Sequence, residues 1–265
     1  MKIVRFIDSE GAVRLGANPA DGRADEVIET EDGGYAPTGV QPLISKFLSP
    51  VNPAAVLCIG LNYRRHAAEA GLDLPRYPVL FMKNPGSVTG HGQNIVLPES
   101  CREKQQVDFE AELAVVIGRE AKNVPGQKAL DYVKGYTCGN DVSARRWQKH
   151  AGGGQWIRGK SFDTFCPLGP VIITPDEVAD PDSLSISCSV NGQIMQKSNT
   201  SDMIFSVSDL ISYLSEDTTL LPGTVILTGT PEGVGFVRNP PVFLKAGDRV
   251  AVEIEKIGTL ENPVV

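Results

Sequence analysis

The sequence predicts an α+β fold that is mostly β, with many short strands and a few helices. Its 265 residues include 27 glycines and 19 prolines, which supply the turns that short strands require. Alternating apolar positions predict strands at both ends of the chain, for example at Lys2 to Ile7 and at Val250 to Glu255. Apolar residues at helical spacing occur in fewer places. This pattern indicates a mixed sandwich, barrel or roll.

Composition and charge argue against several classes of protein. A formal net charge of -7 argues against nucleic acid as the main partner, because binding phosphates requires a basic surface. No apolar run approaches the roughly 20 residues that span a bilayer, and the first residues lack the apolar segment of a signal peptide. We therefore expect a cytoplasmic protein with no membrane contact. Five widely spaced cysteines without a C-x-x-C pair predict reduced core thiols.

The first 50 residues are expected to form a small N-terminal region, followed by one larger domain over residues 51–265. Serine, proline and asparagine at residues 49–53 mark the boundary between them. Within the N-terminal region, Lys2 to Ile7 is followed by hairpins and loops, and Pro42 to Leu48 is interpreted as a short helix.

Residues 55–71 predict a strand followed by a short helix that carries a histidine and a glutamate. Alanines favour the helix and Gly71 is a natural C-cap, so His66 and Glu69 would lie one turn apart on the same face. A carboxylate beside an imidazole orients it and raises its basicity, as a base that activates water requires. The alternative is a surface histidine with a favourable neighbour.

The segment Val107 to Gly118 predicts the strand around which the site is organised. One of its faces is apolar throughout, whereas the other begins with Asp108, Glu110 and Glu112 and ends apolar. This alternation predicts a strand whose far half is buried on both sides and whose near half points carboxylates into a polar pocket. Because Glu110 and Glu112 repel each other, they need a shared proton or a hard divalent cation. The alternative is the solvated face of an edge strand.

Two further segments extend this candidate site. After a helix interpreted at Ala129 to Lys134, Asp141 falls at the end of a strand, where it is either a helix N-cap or a third carboxylate ligand. Residues 152–170 are rich in glycine and aromatic residues and contain Lys160. Since aromatic side chains need burial, we interpret this stretch as an ordered loop of the site.

The last third of the chain predicts structural elements. Asn191-Gly192 is a strong two-residue turn signal, so Ile186 to Gln196 is expected to form a hairpin. Apolar residues between Ile204 and Leu214 recur at helical spacing and predict a helix that faces the core.

Six segments, taken together and in order, resemble the fumarylacetoacetate hydrolase family. They cover about residues 55 to 240 and read GLNYRRHAAEAG, DFEAELAVVIG, GNDVSARRWQ, RGKSFDTFCPLGP, SNTSDMIF and LTGTPEGVGF. The resemblance implies the mixed β-sandwich roll of the family's C-terminal domain, with residues 51–265 as the catalytic domain. It also implies a homodimer.

The resemblance further assigns roles to individual residues. It implies a Mg²⁺ or Mn²⁺ site formed by Glu110, Glu112 and Asp141, and such oxygen ligands also suit Ca²⁺. His66 and Glu69 match the pair that activates water. The remaining matched positions are Arg145, Gln148 and Thr230, which would contact the oxygens of a keto acid substrate, and Lys160, which would neutralise a developing enolate.

The first expectation for the reaction is metal-dependent hydrolysis of a carbon-carbon bond in an acylpyruvate or related β-diketo acid, through a metal-bound enolate. The same site in relatives supports oxaloacetate decarboxylation, tautomerisation or hydration of keto acids, and cleavage of ureidoglycolate. A hypothesis of a different class is a metal-binding protein without catalysis.

One residue departs from the family pattern. The family usually has aspartate after the arginine of SAR, where this chain has Arg146. If the missing acid orients Arg145 or a neighbouring loop, substrate preference or activity would change. A residue 146 that faces the surface would make the change harmless.

Overall fold

The computed structural model describes residues 1–30, 33–101, 104 and 106–265. Within these residues the chain forms mostly strands, with three α-helices: α1 (Arg64–Glu69), α2 (Ile157–Lys160) and α3 (Val207–Leu214). The strands are β1 (Lys2–Asp8), β2 (Val13–Ala20), β3 (Arg23–Glu29), β4 (Tyr35–Pro37), β5 (Ile44–Phe47), β6 (Val56–Gly60), β7 (Val79–Lys83), β8 (Val88–Thr89), β9 (Val107–Asp108), β10 (Ala111–Ile117), β11 (Val133–Asn140), β12 (Ser143–Ala144), β13 (Cys166–Ile173), β14 (Ser185–Val190), β15 (Gln193–Asn199), β16 (Val225–Leu227), β17 (Arg249–Ile254) and β18 (Gly258–Pro263).

Three sheets make up the β structure of the described residues. The large mixed sheet has the order β4-β3-β2-β1-β13-β11-β10-β16-β6-β7, with β5 paired to β1 and β8 paired to β13. A second sheet has the order β15-β14-β17-β18, and β9 pairs with β12. Only the pairs β16–β6 and β13–β8 are parallel within the described chain. The mixed, mostly β architecture expected from the sequence is confirmed.

Strand β10 lies in the interior of the large sheet, between β11 and β16. All seven of its residues are buried, as expected for the far half of the predicted strand, so the alternative of a solvated edge strand is wrong. The expected continuous strand is interrupted between Asp108 and Ala111. At this interruption, two backbone N–H groups bond to side-chain oxygens instead of to the backbone of a neighbouring strand. The Glu110 N–H donates to Asn140 Oδ1 at 3.0 Å, and the Ala111 N–H donates to Gln196 Oε1 at 2.9 Å.

Two expected helices are not α-helices. The segment from Pro42 to Leu48 contains strand β5, because its backbone pairs antiparallel with β1, with Phe47 opposite Phe6. Ala129 lies in a 3₁₀ helix that spans Gly126–Tyr132, and the chain then enters β11, where Val133 pairs with Ile117. In both cases pairing with a neighbouring strand overrides the local preference.

The hairpin and the core-facing helix are confirmed. Asn191 and Gly192 both have positive φ, at 52° and 78°, and join β14 to β15. Helix α3 begins after a capping box formed by Ser206 and Asp209. Its buried residues are Val207, Leu210, Ile211 and Leu214.

The N-terminal strands continue the large sheet, because β1 pairs with β13 and places Ile3 opposite Ile172. A division at about residue 50 stays a prediction. The five cysteines are buried and free, as expected. None of the described helices has the length and apolar character needed to cross a bilayer.

Candidate active site

A cavity of about 350 Å³ lies above the interrupted strand and brings most of the candidate residues together. Its apolar wall includes Leu61, Val79, Phe81 and Trp156. Its polar lining is formed by His66, Glu110, Glu112, Arg145, Gln148, Lys149, Lys160 and Thr230. The cavity thus combines an acidic floor, several cations and an apolar wall.

Three carboxylates form the floor of the site. Glu110, Glu112 and Asp141 are buried, and each offers an oxygen within 4.8 Å of the others. The register of β10 and β11 explains the cluster, because Ala111 pairs with Asn140 and the Asp141 N–H donates to the Glu110 carbonyl at 2.9 Å. A set of oxygen donors alone suits a hard divalent cation such as Mg²⁺, Mn²⁺ or Ca²⁺.

Two of the buried cations beside these carboxylates, Lys160 and Arg145, compensate the charge of Glu110. Lys160 Nζ donates to Glu110 Oε2 and to Asp141 Oδ2, both at 2.7 Å, and Arg145 Nη1 lies 2.6 Å from Glu110 Oε1. Burial alone would raise the pKa of Glu110, but the charges of Lys160 and Arg145 lower it to about 2. Burial would lower the pKa of Lys160, yet Asp141 and Glu110 raise it, so this ammonium stays protonated at neutral pH.

Glu112 is the carboxylate whose charge is least compensated. Its Oε2 accepts the Gly229 N–H at 2.8 Å, and no cationic nitrogen of the described residues lies within 4.0 Å of it. Burial, followed by the charges of Asp141 and Glu110, holds the pKa of Glu112 well above its usual range. A divalent cation would offset this repulsion, so the residues fit the metal that the family resemblance implies.

Lys83 is a site residue to which the sequence assigned no role. It is 1% exposed at the end of β7, where Nζ contacts Asp141 Oδ1 and donates to the Val142 carbonyl at 3.1 Å. The sequence signal that could have indicated this role was a lysine at the end of an apolar strand. Lys83 and Lys160 together hold both oxygens of Asp141.

Asp108 holds Arg145 in place beside the cavity. Its carboxylate accepts Arg145 Nε at 2.8 Å and the backbone N–H groups of Gly235 and Phe236 at 2.7 and 3.0 Å. Asp108 therefore joins Arg145 to the loop that follows β16. Its position on the acidic face of the predicted strand was the only sequence signal for this role.

The histidine and glutamate lie on α1 at the side of the cavity. His66 Nδ1 is 3.4 Å from Glu69 Oε2, and both oxygens of Glu69 lie 3.1 Å from the Gly233 N–H. With Glu69 accepting from Nδ1, the Nε2 atom is the nitrogen available to take a proton. Arg64 fastens the start of α1 by donating to the Met203 carbonyl.

Arg145, Gln148 and Thr230, which the family resemblance predicts to contact the substrate, also line the cavity. Arg145 Nη1 donates to Gln148 Oε1 at 3.0 Å, and Thr230 Oγ1 accepts from Gln196 Nε2 at 2.8 Å. Arg146 is exposed, and the carboxylate partners of Arg145 are Asp108 and Glu110. An aspartate at position 146 is therefore not needed to orient Arg145.

Comparison with known proteins identifies the class of protein. Residues 55–265 match the family model for the fumarylacetoacetate (FAA) hydrolase C-terminal domain. The chain belongs to this enzyme family, as its six sequence segments predicted.

Individual relatives carry the names of different reactions. Oxaloacetate tautomerase FAHD2A, mitochondrial, from Homo sapiens is 50% identical over 220 residues, which are 83% of this chain and 69% of that protein. A structure described as 5-carboxymethyl-2-hydroxymuconate delta-isomerase from Mycobacterium smegmatis has a TM-score of 0.86 and 40% identity, with 100% and 99% of the two chains covered. Fumarylacetoacetate hydrolase (EaFAH) from Exiguobacterium antarcticum has a TM-score of 0.87 and 36% identity, with the same coverage.

Proposed function

We propose that this chain is a keto–enol tautomerase of a short 2-keto acid of the oxaloacetate type. The observation that carries the proposal is the position of Lys160, a buried ammonium on the acidic floor that lines the same cavity as His66. Tautomerisation needs a base for the carbon-bound proton and a cation beside the oxygen that becomes negative. The names of the relatives at about 50% identity support oxaloacetate as the substrate.

The residues of the chain would divide the reaction between them. His66 Nε2 removes a proton from C3, and the electron pair of the broken C–H bond forms the C2–C3 double bond as the keto oxygen becomes an enolate. Lys160 stabilises that oxygen electrostatically, and Glu69 stabilises the imidazolium of His66. The same proton then passes to the oxygen and gives the enol.

We also propose that Glu110, Glu112 and Asp141 hold a divalent cation during this reaction. When bound there, the metal would supply Lewis-acid polarisation of the keto group. Arg145 and Gln148 would orient the substrate carboxylate beside it, and the apolar wall would exclude water from the enolate.

Hydrolysis of an acylpyruvate is a second candidate, which the apolar wall favours. Leu61, Val79, Phe81 and Trp156 provide contact area for an acyl chain that oxaloacetate lacks. In that reaction His66 and Glu69 would activate water for attack on the distal carbonyl.

A substrate panel separates these reactions. Enol oxaloacetate, oxaloacetate and acetylpyruvate are incubated with the Mg²⁺-loaded protein, the metal alone, or Lys160→Met. We expect the protein to accelerate the decay of enol absorbance without releasing pyruvate or carbon dioxide, and we expect Lys160→Met to lose this acceleration. Pyruvate and acetate formed from acetylpyruvate would favour hydrolysis, whereas carbon dioxide from oxaloacetate would favour decarboxylation. Metal binding without any turnover would favour a non-catalytic role.

We further propose that the chain forms a homodimer through strand β7. This strand ends the large sheet, and its outward side chains Leu80 and Met82 are 49% and 41% exposed. They line a groove with Tyr213 and Leu221, which are exposed as well. An apolar edge of this kind is typical of a self-association surface.

Sedimentation tests this assembly. We expect the parent to sediment as a dimer at micromolar concentration. Leu80→Lys should raise the dimer dissociation constant at least about tenfold, because the new lysine would bury an unpaired charge in the interface. Val13→Lys, at a similarly exposed position on β2, is the control and should leave the dimer intact. A parent that sediments at 28.4 kDa would refute the proposal.

A further inference from the structure

Lys149 is a cation of the cavity that the proposed reaction does not use. It follows Gln148 in an irregular π-helical turn, Trp147–Ala151, a geometry that is frequent at functional sites. Its Nζ lies 3.9 Å from the centroid of the Phe236 ring, and the guanidinium carbon of Arg145 lies 4.4 Å from the same centroid. Lys149, Phe236 and Arg145 all line the cavity. Both cations therefore contact the same aromatic ring in the lining of the cavity.

The ion pairs distinguish Lys149 from the other cations of the cavity. Arg145 is paired with Asp108 and Glu110, and Lys160 is paired with Glu110 and Asp141. Among the described residues, no carboxylate oxygen lies within 4.0 Å of Lys149 Nζ. Partial burial and the nearby charge of Arg145 lower the pKa of Lys149, so an approaching anion would relieve this unfavourable environment.

The charges of the site indicate what kind of anion fits. Once a divalent cation keeps Glu112 ionised, the carboxylates of Asp108, Glu110, Glu112 and Asp141 face three cations of the protein, Lys83, Arg145 and Lys160, which leaves one net negative charge before the metal is counted. With a divalent cation in place, the same group would carry one net positive charge, and Lys149 adds a second. A substrate with two negative charges balances this site, whereas a monoanion leaves one positive charge without an anionic partner.

We propose that Lys149 binds the distal carboxylate of the substrate, and that the site therefore selects dicarboxylic 2-keto acids over keto acids with one carboxylate. The inference rests on the proposed function for the orientation of the substrate, whose keto end faces the acidic floor. The distal carboxylate then lies toward Phe236, whose ring contacts Lys149 Nζ. Lys149 is a specificity-determining residue in this arrangement and takes no part in proton transfer.

A binding experiment tests the inference without requiring turnover. Isothermal calorimetry on the Mg²⁺-loaded protein compares 3,3-difluoro-oxaloacetate, which has no C3 proton to lose, with its 4-methyl ester, which lacks the distal charge. We expect Lys149→Met to weaken binding of the diacid about tenfold, as the loss of one charge-assisted contact does. Binding of the ester should change less than about twofold. Lys149→Arg should retain most of the diacid affinity.

Arg146→Met is the matched control, because Arg146 is an exposed cation two residues before Gln148 that does not line the cavity. If Arg146→Met weakens the diacid as much as Lys149→Met does, long-range charge explains the effect and the inference is wrong. Equal losses for diacid and ester, or no diacid binding by the parent, would also overturn it. Failure of the proposed function gives a different result, since a parent that does not tautomerise oxaloacetate would still bind the diacid in a manner that depends on Lys149.

Discussion

Replacing His66 with alanine is expected to lower kcat for oxaloacetate tautomerisation by about a hundredfold or more, because a positioned general base typically contributes 10²–10⁴-fold. His66 lines the cavity, and its Nδ1 is oriented by Glu69, so alanine removes the acceptor of the C3 proton. The KM should change little, since the groups proposed to bind the oxygens of the substrate belong to other residues. Steady-state rates at saturating Mg²⁺ measure both quantities.

Two companion variants make this result specific. Arg65→Ala changes the neighbouring residue of α1, whose side chain is 70% exposed, and should keep kcat within about twofold of the parent. Glu69→Gln keeps an acceptor for the Gly233 N–H but removes the charge beside the imidazole, so it should lie between the parent and His66→Ala. The proposed role of His66 is refuted if His66→Ala retains a third or more of the parental kcat while binding Mg²⁺ normally.

Glu112→Gln is expected to have opposite effects on metal affinity and on the stability of the metal-free protein. The variant removes one of three ligand carboxylates, so the Kd for Mg²⁺ or Mn²⁺ should rise at least about tenfold. The same substitution removes the buried carboxylate whose charge is least compensated, and the new amide can donate to Asp141 or Glu110. In chelator, the Tm of the variant should therefore exceed that of the parent.

Calorimetric titration and thermal unfolding with and without Mg²⁺ measure these two effects. Glu120→Gln is the control, because Glu120 lies just beyond β10 and is exposed. It should change neither quantity. Equal Mg²⁺ affinity in Glu112→Gln and the parent would exclude Glu112 as a ligand, and a lower Tm in chelator would mean that the carboxylate stabilises the fold by itself.

The sequence predicted the acidic floor because its signal is local. The alternation in Val107 to Gly118 placed Glu110 and Glu112 on one face, and the position of Asp141 after a strand suggested a third ligand. What it could not predict was the interruption of that strand, which depends on side chains of Asn140 and Gln196 that are distant in the chain. Long-range hydrogen bonds of this kind leave no periodic pattern.

The lysines of the site were also only partly predictable from the sequence. Lys160 was predicted through the family resemblance, but the pairing of Lys83 with Asp141 depends on the packing of β7 over the site. Lys149 was not singled out either, because only the cavity distinguishes it from an ordinary exposed lysine. Similarly, the helix predicted at residues 42–48 was wrong because the pairing of this segment with β1 cannot be inferred from local composition.

The acidic floor and helix α1 are expected to differ in how readily they unfold locally. Glu112 lies on a fully buried interior strand, whose backbone amides are expected to exchange with solvent mainly when the whole molecule unfolds. His66 lies on a six-residue helix with one fully buried side chain, fastened chiefly by polar contacts of Arg64 and Glu69. We therefore expect helix α1 to open while the sheet stays intact, so that the proposed base would leave and return while the acidic floor keeps its geometry.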